Sequence, residues 1–139
     1  MKYIILGDAE DGDMVRLEKK IMDELQGHPD IPRVFACFVG RKHAVIIMEK
    51  LGKSLLDFKE KFARRRPAQR ALTYLQLAET LAYVHRKGFC HNDVKPDNVL
   101  EHRGRFKLID FGRSCRVGRL CLLSYLPFSA PETFLNEKS

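Results

Sequence analysis

Apolar positions change their spacing several times along this chain, and each change marks an element. Residues 2–6 form a short apolar run closed by Gly7 and a polar stretch over 8–13, which reads as a strand and a loop. From Asp13 the apolar positions Met14, Leu17, Ile21 and Leu25 recur at threes and fours. That spacing predicts a helix with Asp13 as its N-cap, ended by Gly27 and Pro29. Runs at 33–39 and 44–48, separated by Gly-Arg-Lys-His, fit an antiparallel hairpin. Ser54 reads as the cap of a short helix carrying Leu55, Leu56, Phe58 and Phe62. Pro67 then opens a longer helix over 68–86, with Leu72, Leu75, Leu77, Leu81 and Val84 along it. Gly88 ends that helix. Residues 99–101 and 106–109 flank Arg103-Gly104 as a second, smaller hairpin, and 113–139 read as irregular, broken by Pro127 and Pro131.

This order predicts an α+β fold. A small sheet-and-helix part over 1–48 is joined by a hinge at 49–52 to a helical part over 53–139, with a cleft between them.

Composition narrows the function classes only slightly. At 139 residues, with 45% apolar and 31% charged positions, the chain is an ordinary single globular domain. The formal charge of +7 is spread over 64–66, 103–107 and 113–119. That distribution favours a solvated surface with some phosphate affinity over a nucleic-acid groove. The four cysteines show no CxxC spacing and no secretory leader, so free thiols in a reducing, intracellular compartment (cytoplasmic, nuclear or both) are expected. No apolar stretch has the length of a membrane span.

The chemistry is concentrated between Cys90 and Gly112. His91-Asn92-Asp93-Val94-Lys95-Pro96-Asp97-Asn98, followed by Asp110-Phe111-Gly112, resembles the catalytic loop and metal-binding triplet of protein kinases. Ala130-Pro131-Glu132 is similar to that family's motif at the end of the activation segment. Three motifs in the family's order are far more specific than any one of them. The resemblance implies the two-lobe protein-kinase fold, here the middle of it, and ATP-dependent phosphoryl transfer to protein substrates. Lys95, two residues after Asp93, resembles the serine/threonine branch.

The roles the resemblance implies follow position by position. Asp93 would orient or accept the proton of the substrate hydroxyl, and Lys95 would neutralise charge on the transferring group. Asn98 and Asp110 would hold Mg²⁺ as hard oxygen ligands. Glu18 stands where the family's helix carries its ion-pairing glutamate; as a residue it reads equally as a surface acid on an amphipathic helix. Lys2 precedes it on the first strand as the implied partner, or as an ordinary charge near a terminus. Met48 would lie behind the adenine, the backbones of Glu49 and Leu51 would bond its edge, and Leu100 would form the floor. Read alone, each of these side chains fits a core position as well. Asp97 reads as a solvent-facing turn residue, and His91 as a structural residue beneath Phe111.

The sequence also departs from the family. The resemblance covers the middle of the family's domain, with its Gly-rich phosphate loop falling before Lys2 and its further helices after Ser139, so this chain is expected to be a partial domain, incomplete at both ends. Apolar faces over 75–84 and 120–134 are therefore expected to favour aggregation or a protein partner. Asn92 replaces the arginine that usually precedes the catalytic aspartate, which argues against control by phosphorylation of the loop. Tyr125 stands where a threonine is usual. Two functions from different classes follow. One is a serine/threonine kinase using ATP and Mg²⁺, weak or inactive at this length. The other is a pseudokinase-like module that binds nucleotide or acts as a scaffold.

Overall fold

A computed structural model of the chain describes residues 1–7 and 9–118. The Ala130-Pro131-Glu132 motif, Tyr125 and the apolar stretch 120–134 lie outside the described residues. Strand β1 (Lys2–Ile5) is followed by helix α1 (Ala9–Glu24), and the hairpin β2 (Val34–Val39) and β3 (His43–Met48) completes an antiparallel sheet of order β1-β3-β2. Helices α2 (Lys59–Ala63) and α3 (Pro67–Arg86) come next. Then follow β4 (Phe89–Cys90), a single 3₁₀ turn (Pro96–Asn98), the hairpin β5 (Val99–His102) and β6 (Arg105–Leu108), and β7 (Cys115–Arg116).

Helix α1 begins earlier than its periodicity suggests. Residues 9–13 form its first turn and not a loop, and Asp13 lies inside the helix. Glu10 and Asp11 sit where the helix N-terminus favours negative charge, and the Asp11 carboxylate accepts the Gly7 N–H at 2.6 Å. The buried face is also shifted by a residue. Val15, Glu18, Met22 and Leu25 face inward with Ile21, whereas Met14 and Leu17 are exposed. A glutamate therefore occupies a core position, which apolar spacing alone does not show.

Ser54 caps a turn and not a helix. Its hydroxyl accepts the Asp57 N–H at 3.1 Å and donates to the Asp57 carboxylate at 2.8 Å, so α2 starts only at Lys59. Pro67 opens α3 at a position that needs no N–H donor, and Gly88, at φ 82°, ends it. Along α3 the inward line is Thr73, Thr80 and Val84, with Leu77 and Leu81 half-buried against the core. Leu72 and Leu75 face outward, so the apolar face expected over 75–84 is partly satisfied within the fold. The β4–β7 pair, Phe89 opposite Arg116 and Cys90 opposite Cys115, falls partly in the segment read as irregular. Two-residue strands leave no periodic trace. Cys37 is a free thiol, but Cys115 is disulfide-bonded, so the expectation of free thiols throughout does not hold.

One core joins the two parts. Ile21 and Met22 of α1, with Leu25 just past its end, meet Val84, Phe89, Phe106, Leu108 and Phe111. Burial of each such side chain stabilises the fold by about 1.5–3 kcal/mol. A polar knot reinforces the same junction. The buried Asp30 carboxylate takes two hydrogen bonds from Arg105, at 2.8 and 2.7 Å, and its backbone carbonyl accepts the Leu108 N–H at 2.9 Å. Gln76 of α3 donates to the Phe106 carbonyl at 2.6 Å. The hairpin that delivers Asp110 is thus fixed to both α1's C-terminal loop and α3.

Candidate active site

Pairing register places the first of the candidate residues. Lys2 lies opposite Ile46, which is buried against α1, so its side chain points to the face that α1 covers. There it meets Glu18, one helix turn below Val15. The Lys2 Nζ donates to both Glu18 carboxylate oxygens at 2.8 Å and to Asp110 Oδ1 at 2.8 Å. Three residues far apart in the chain therefore share one ammonium. Burial works against the charge on Lys2, but the Glu18 and Asp110 carboxylates outweigh it and hold its pKa above the ordinary value. Burial raises the Glu18 pKa, with Lys2 pulling the other way. At Asp110 burial also favours the neutral acid, yet the Lys2 contact dominates and the carboxylate is held below its usual range.

Gly112 completes this corner. A Cβ built there would stand 3.3 Å from Asp110 Oδ1 and 3.5 Å from the Glu18 carboxylate, so a side chain would crowd the ion pair. Asp110 itself has φ 62°, unusual for a residue with a Cβ. Its Oδ1 also accepts the Gly112 N–H at 3.4 Å, within the geometry of the same turn.

A second group assembles around Asp93, which is 4% exposed. The Lys95 Nζ lies 3.1 Å from Asp93 Oδ1 and 2.9 Å from Oδ2. The Asn98 amide donates to the Asp93 backbone carbonyl and to Oδ2, both at 2.8 Å. The 3₁₀ turn makes this possible, because Pro96 starts it and the Asn98 N–H closes back on the Lys95 carbonyl at 2.9 Å. The two groups are adjacent, since the Ile109 N–H donates to the Asn98 carbonyl at 2.9 Å and Asp110 follows directly.

His91 braces the loop from within. Its Nε2 faces the Ile109 carbonyl at 2.9 Å, and its Nδ1 faces the Asp93 N–H at 3.2 Å. That arrangement suits one neutral tautomer, and burial holds the imidazole pKa below its ordinary value. The ring meets Phe111 edge-on with centroids 4.7 Å apart. Asn92, at φ 62°, donates to the Arg113 carbonyl at 3.2 Å and to Cys115 Sγ at 3.3 Å, linking the loop to the segment after Gly112. Asp97 is exposed on its turn.

Beside these groups lies a cleft of about 580 Å³ lined by Lys2, Met48, Glu49, Leu51, Leu100 and Asp110, among others. It thus collects the candidates from the hinge, β1, β5 and the end of β6. Met1, Lys50 and Ile109 also line it and were not singled out in the sequence. Among the described residues, no hydrogen bond engages the Leu51 N–H or carbonyl, so that backbone edge is available to a planar ligand. The Glu49 side chain turns away from the cleft. It pairs with Lys107, accepts the Arg33 N–H at 2.8 Å and lies 3.5 Å from His102 Nε2. Burial pushes its pKa up, but the Lys107 and Arg33 contacts prevail and lower it. Lys107 has no counterpart in the sequence reading; nothing in a four-residue strand marks one lysine as buried.

The comparisons with known proteins agree with this architecture. The family described as "Protein kinase domain" matches residues 1–138. The chain belongs to that family. It is 34% identical to mouse protein kinase C eta type over 119 residues, which cover 84% of this chain and 17% of that protein. It is 31% identical to fruit-fly atypical protein kinase C over 120 residues, 85% of this chain and 20% of that one. Mouse sperm motility kinase 3A is 34% identical over 115 residues, covering 78% and 23%. The chain thus spans about a fifth of the length of the curated relatives it matches. No helix among the described residues is long and apolar enough to cross a membrane.

The donor set suits a hard divalent cation. Both Asn98 amide bonds go to Asp93, which leaves the amide oxygen for a metal, and Asp110 keeps Oδ2 beyond its Oδ1 contacts. Two oxygen ligands with the rest from phosphates and water is the usual way Mg²⁺ is held. No group of three or more His, Cys, Asp or Glu side chains that could hold a metal converges among the described residues, so protein ligands alone would not complete the coordination.

Proposed function

We propose that this chain carries the phosphoryl-transfer centre of a serine/threonine protein kinase acting inside the cell. The observation that carries the reading is the Lys2 ammonium shared by Glu18 and Asp110 at the wall of the apolar cleft. A fixed cation beside a slot of this shape suits a nucleotide, with the adenine between Met48 and Leu100, its edge on the Glu49 and Leu51 backbones, and its phosphates toward Lys2. Asp93 receives the Ser or Thr hydroxyl and takes its proton as the oxygen bonds to the γ-phosphorus. The bond from that phosphorus to the bridging oxygen breaks, and ADP leaves. Lys95, paired with Asp93, offsets charge on the transferring group. Asn98 and Asp110 would hold Mg²⁺, which when bound neutralises the phosphate oxygens.

The test compares the chain with its Asp110→Ala variant in Mg-ATP and a generic basic protein. Weak phosphate transfer by the first, lost in the second, is expected at this length. A Mg-ATP-dependent rise in melting temperature without transfer would support the pseudokinase-like binding module instead. Neither transfer nor a shift, in a chain with a cooperative melt, would overturn both readings.

A further inference from the structure

The three-stranded sheet has two faces, and the described residues cover only one. The register sets Lys2, Ile46 and Cys37 in a row on the side where α1 packs. The next row, Tyr3, Val45 and Phe38, therefore points the opposite way. On that side Tyr3 is 56% exposed, Ile5 74%, Phe38 62% and Phe35, at the irregularity between Val34 and Ala36, 61%, with Ile47 beside them. An antiparallel sheet covered on one side ordinarily alternates apolar inward and polar outward. Here most outward positions are aromatic and branched aliphatic, with the exposed His43 opposite Ile5 stacked on Tyr3 and hydrogen-bonded to its hydroxyl. A contiguous patch of that kind on a sheet face marks an interaction surface.

Charge identifies what the surface takes. Residues 1–7 and 31–48 contain no Asp or Glu. The strands and turns of this sheet carry Arg33, Arg41 and Lys42, all exposed, while the neighbouring Glu49 carboxylate is turned inward to Lys107. A second copy of this chain would bring two basic rims together across a symmetric contact, which disfavours self-association. A lipid surface is disfavoured by shape, since side chains lying along a sheet cannot enter the acyl layer as a protruding loop or helix does.

We propose that the face of the sheet opposite α1 docks a protein segment with apolar or aromatic side chains interleaved with Asp and Glu. The apolar groups cover Tyr3, Phe38 and Ile5, and the carboxylates meet Arg41, Lys42 and Arg33. This surface is separate from the cleft, and the docking needs no nucleotide.

The test measures binding of the whole chain, without ATP, to a labelled peptide alternating Phe and Asp. Its controls are the same peptide with Lys for Asp and vesicles rich in phosphatidylserine. The Asp peptide should bind, and more weakly as salt is raised. Phe38→Thr, which leaves charge unchanged, should cost about tenfold or more in affinity, as loss of a buried aromatic anchor does. The double variant Arg41→Glu, Lys42→Glu should weaken binding as strongly; it lies in an exposed turn and keeps the test valid if Phe38→Thr unfolds. Equal binding of the Lys peptide, full retention in either variant with a normal melt, or binding of vesicles but not of the Asp peptide would each overturn the proposal.

Discussion

The Glu49–Lys107 pair offers the sharpest energetic test of how the hinge is held to the second hairpin. The Lys107 side chain is 9% exposed and that of Glu49 is 14%, so little water replaces a lost partner. In Lys107→Met the Glu49 carboxylate keeps the Arg33 N–H and His102 but loses its one full counter-charge among the described residues. In Glu49→Leu the ammonium keeps only the Ile31 carbonyl, 3.5 Å away. Breaking one side of a buried pair costs about 3–5 kcal/mol, and the remaining Glu49 contacts place Lys107→Met near about 3. Replacing both residues removes the desolvation cost with the attraction, so Glu49→Leu with Lys107→Met is expected within about 1–2 kcal/mol of the original chain. Urea unfolding reads this directly. With m of about 1–3 kcal/mol/M, each single variant lowers the midpoint by roughly 1–3 M, and the double variant recovers most of the loss. Additive losses in the double variant, or single losses below about 1 kcal/mol, would show that water reaches this pair and that the reasoning fails.

Two further measurements probe the loop itself. Because the folded state holds His91 neutral, only the unfolded chain gains its proton as pH falls below about 6.5, so stability declines from there toward the depressed folded value. The slope from this residue is at most about 1.4 kcal/mol per pH unit; His91→Phe should be less stable at pH 7.5 but flatter between pH 6.5 and 5.5, and parallel profiles would refute the assignment. At Asn92 the positive φ predicts the stability order Asn, Gly, Ala, Val, with Asn92→Val about 1–2 kcal/mol below Asn92→Gly; equal midpoints for Gly and Val would contradict the backbone geometry.

Long elements were legible in the sequence because they repeat. Helix α3 and both hairpins follow from apolar spacing and from Pro67, Gly88 and Gly104. The errors arose where one local signal competed with another. The acids at 10–13 look like a loop, yet they favour the first turn of α1, and that misreading rotated the helix so that Met14 and Leu17 were assigned inward. Ser54 is a good cap by type, but Asp57 within reach turns it to a local turn. The bare sheet face was not legible at all. Strands reading KYII, VFACFV and HAVIIM have no apolar–polar alternation, so only pairing register tells which side α1 covers.

The site shows the complementary limit. Residue types and spacing single out Asp93, Lys95, Asn98 and Asp110, because a compact loop brings together what lies close in the chain. Lys2 and Asp110 are 108 positions apart and Lys2 and Glu18 are 16 apart, and no periodicity relates such pairs. What joins them is the register that points Lys2 beneath the sheet and the helix rotation that turns Glu18 inward. A sequence change that slipped β1 by one residue would send Lys2 to the opposite face and bring its neighbours Met1 and Tyr3 under α1. The ion pair is therefore a readout of sheet register as much as of the residues that form it. Pairing of β1 with β3 is a precondition for the proposed chemistry, and it simultaneously creates the exposed row on the other side.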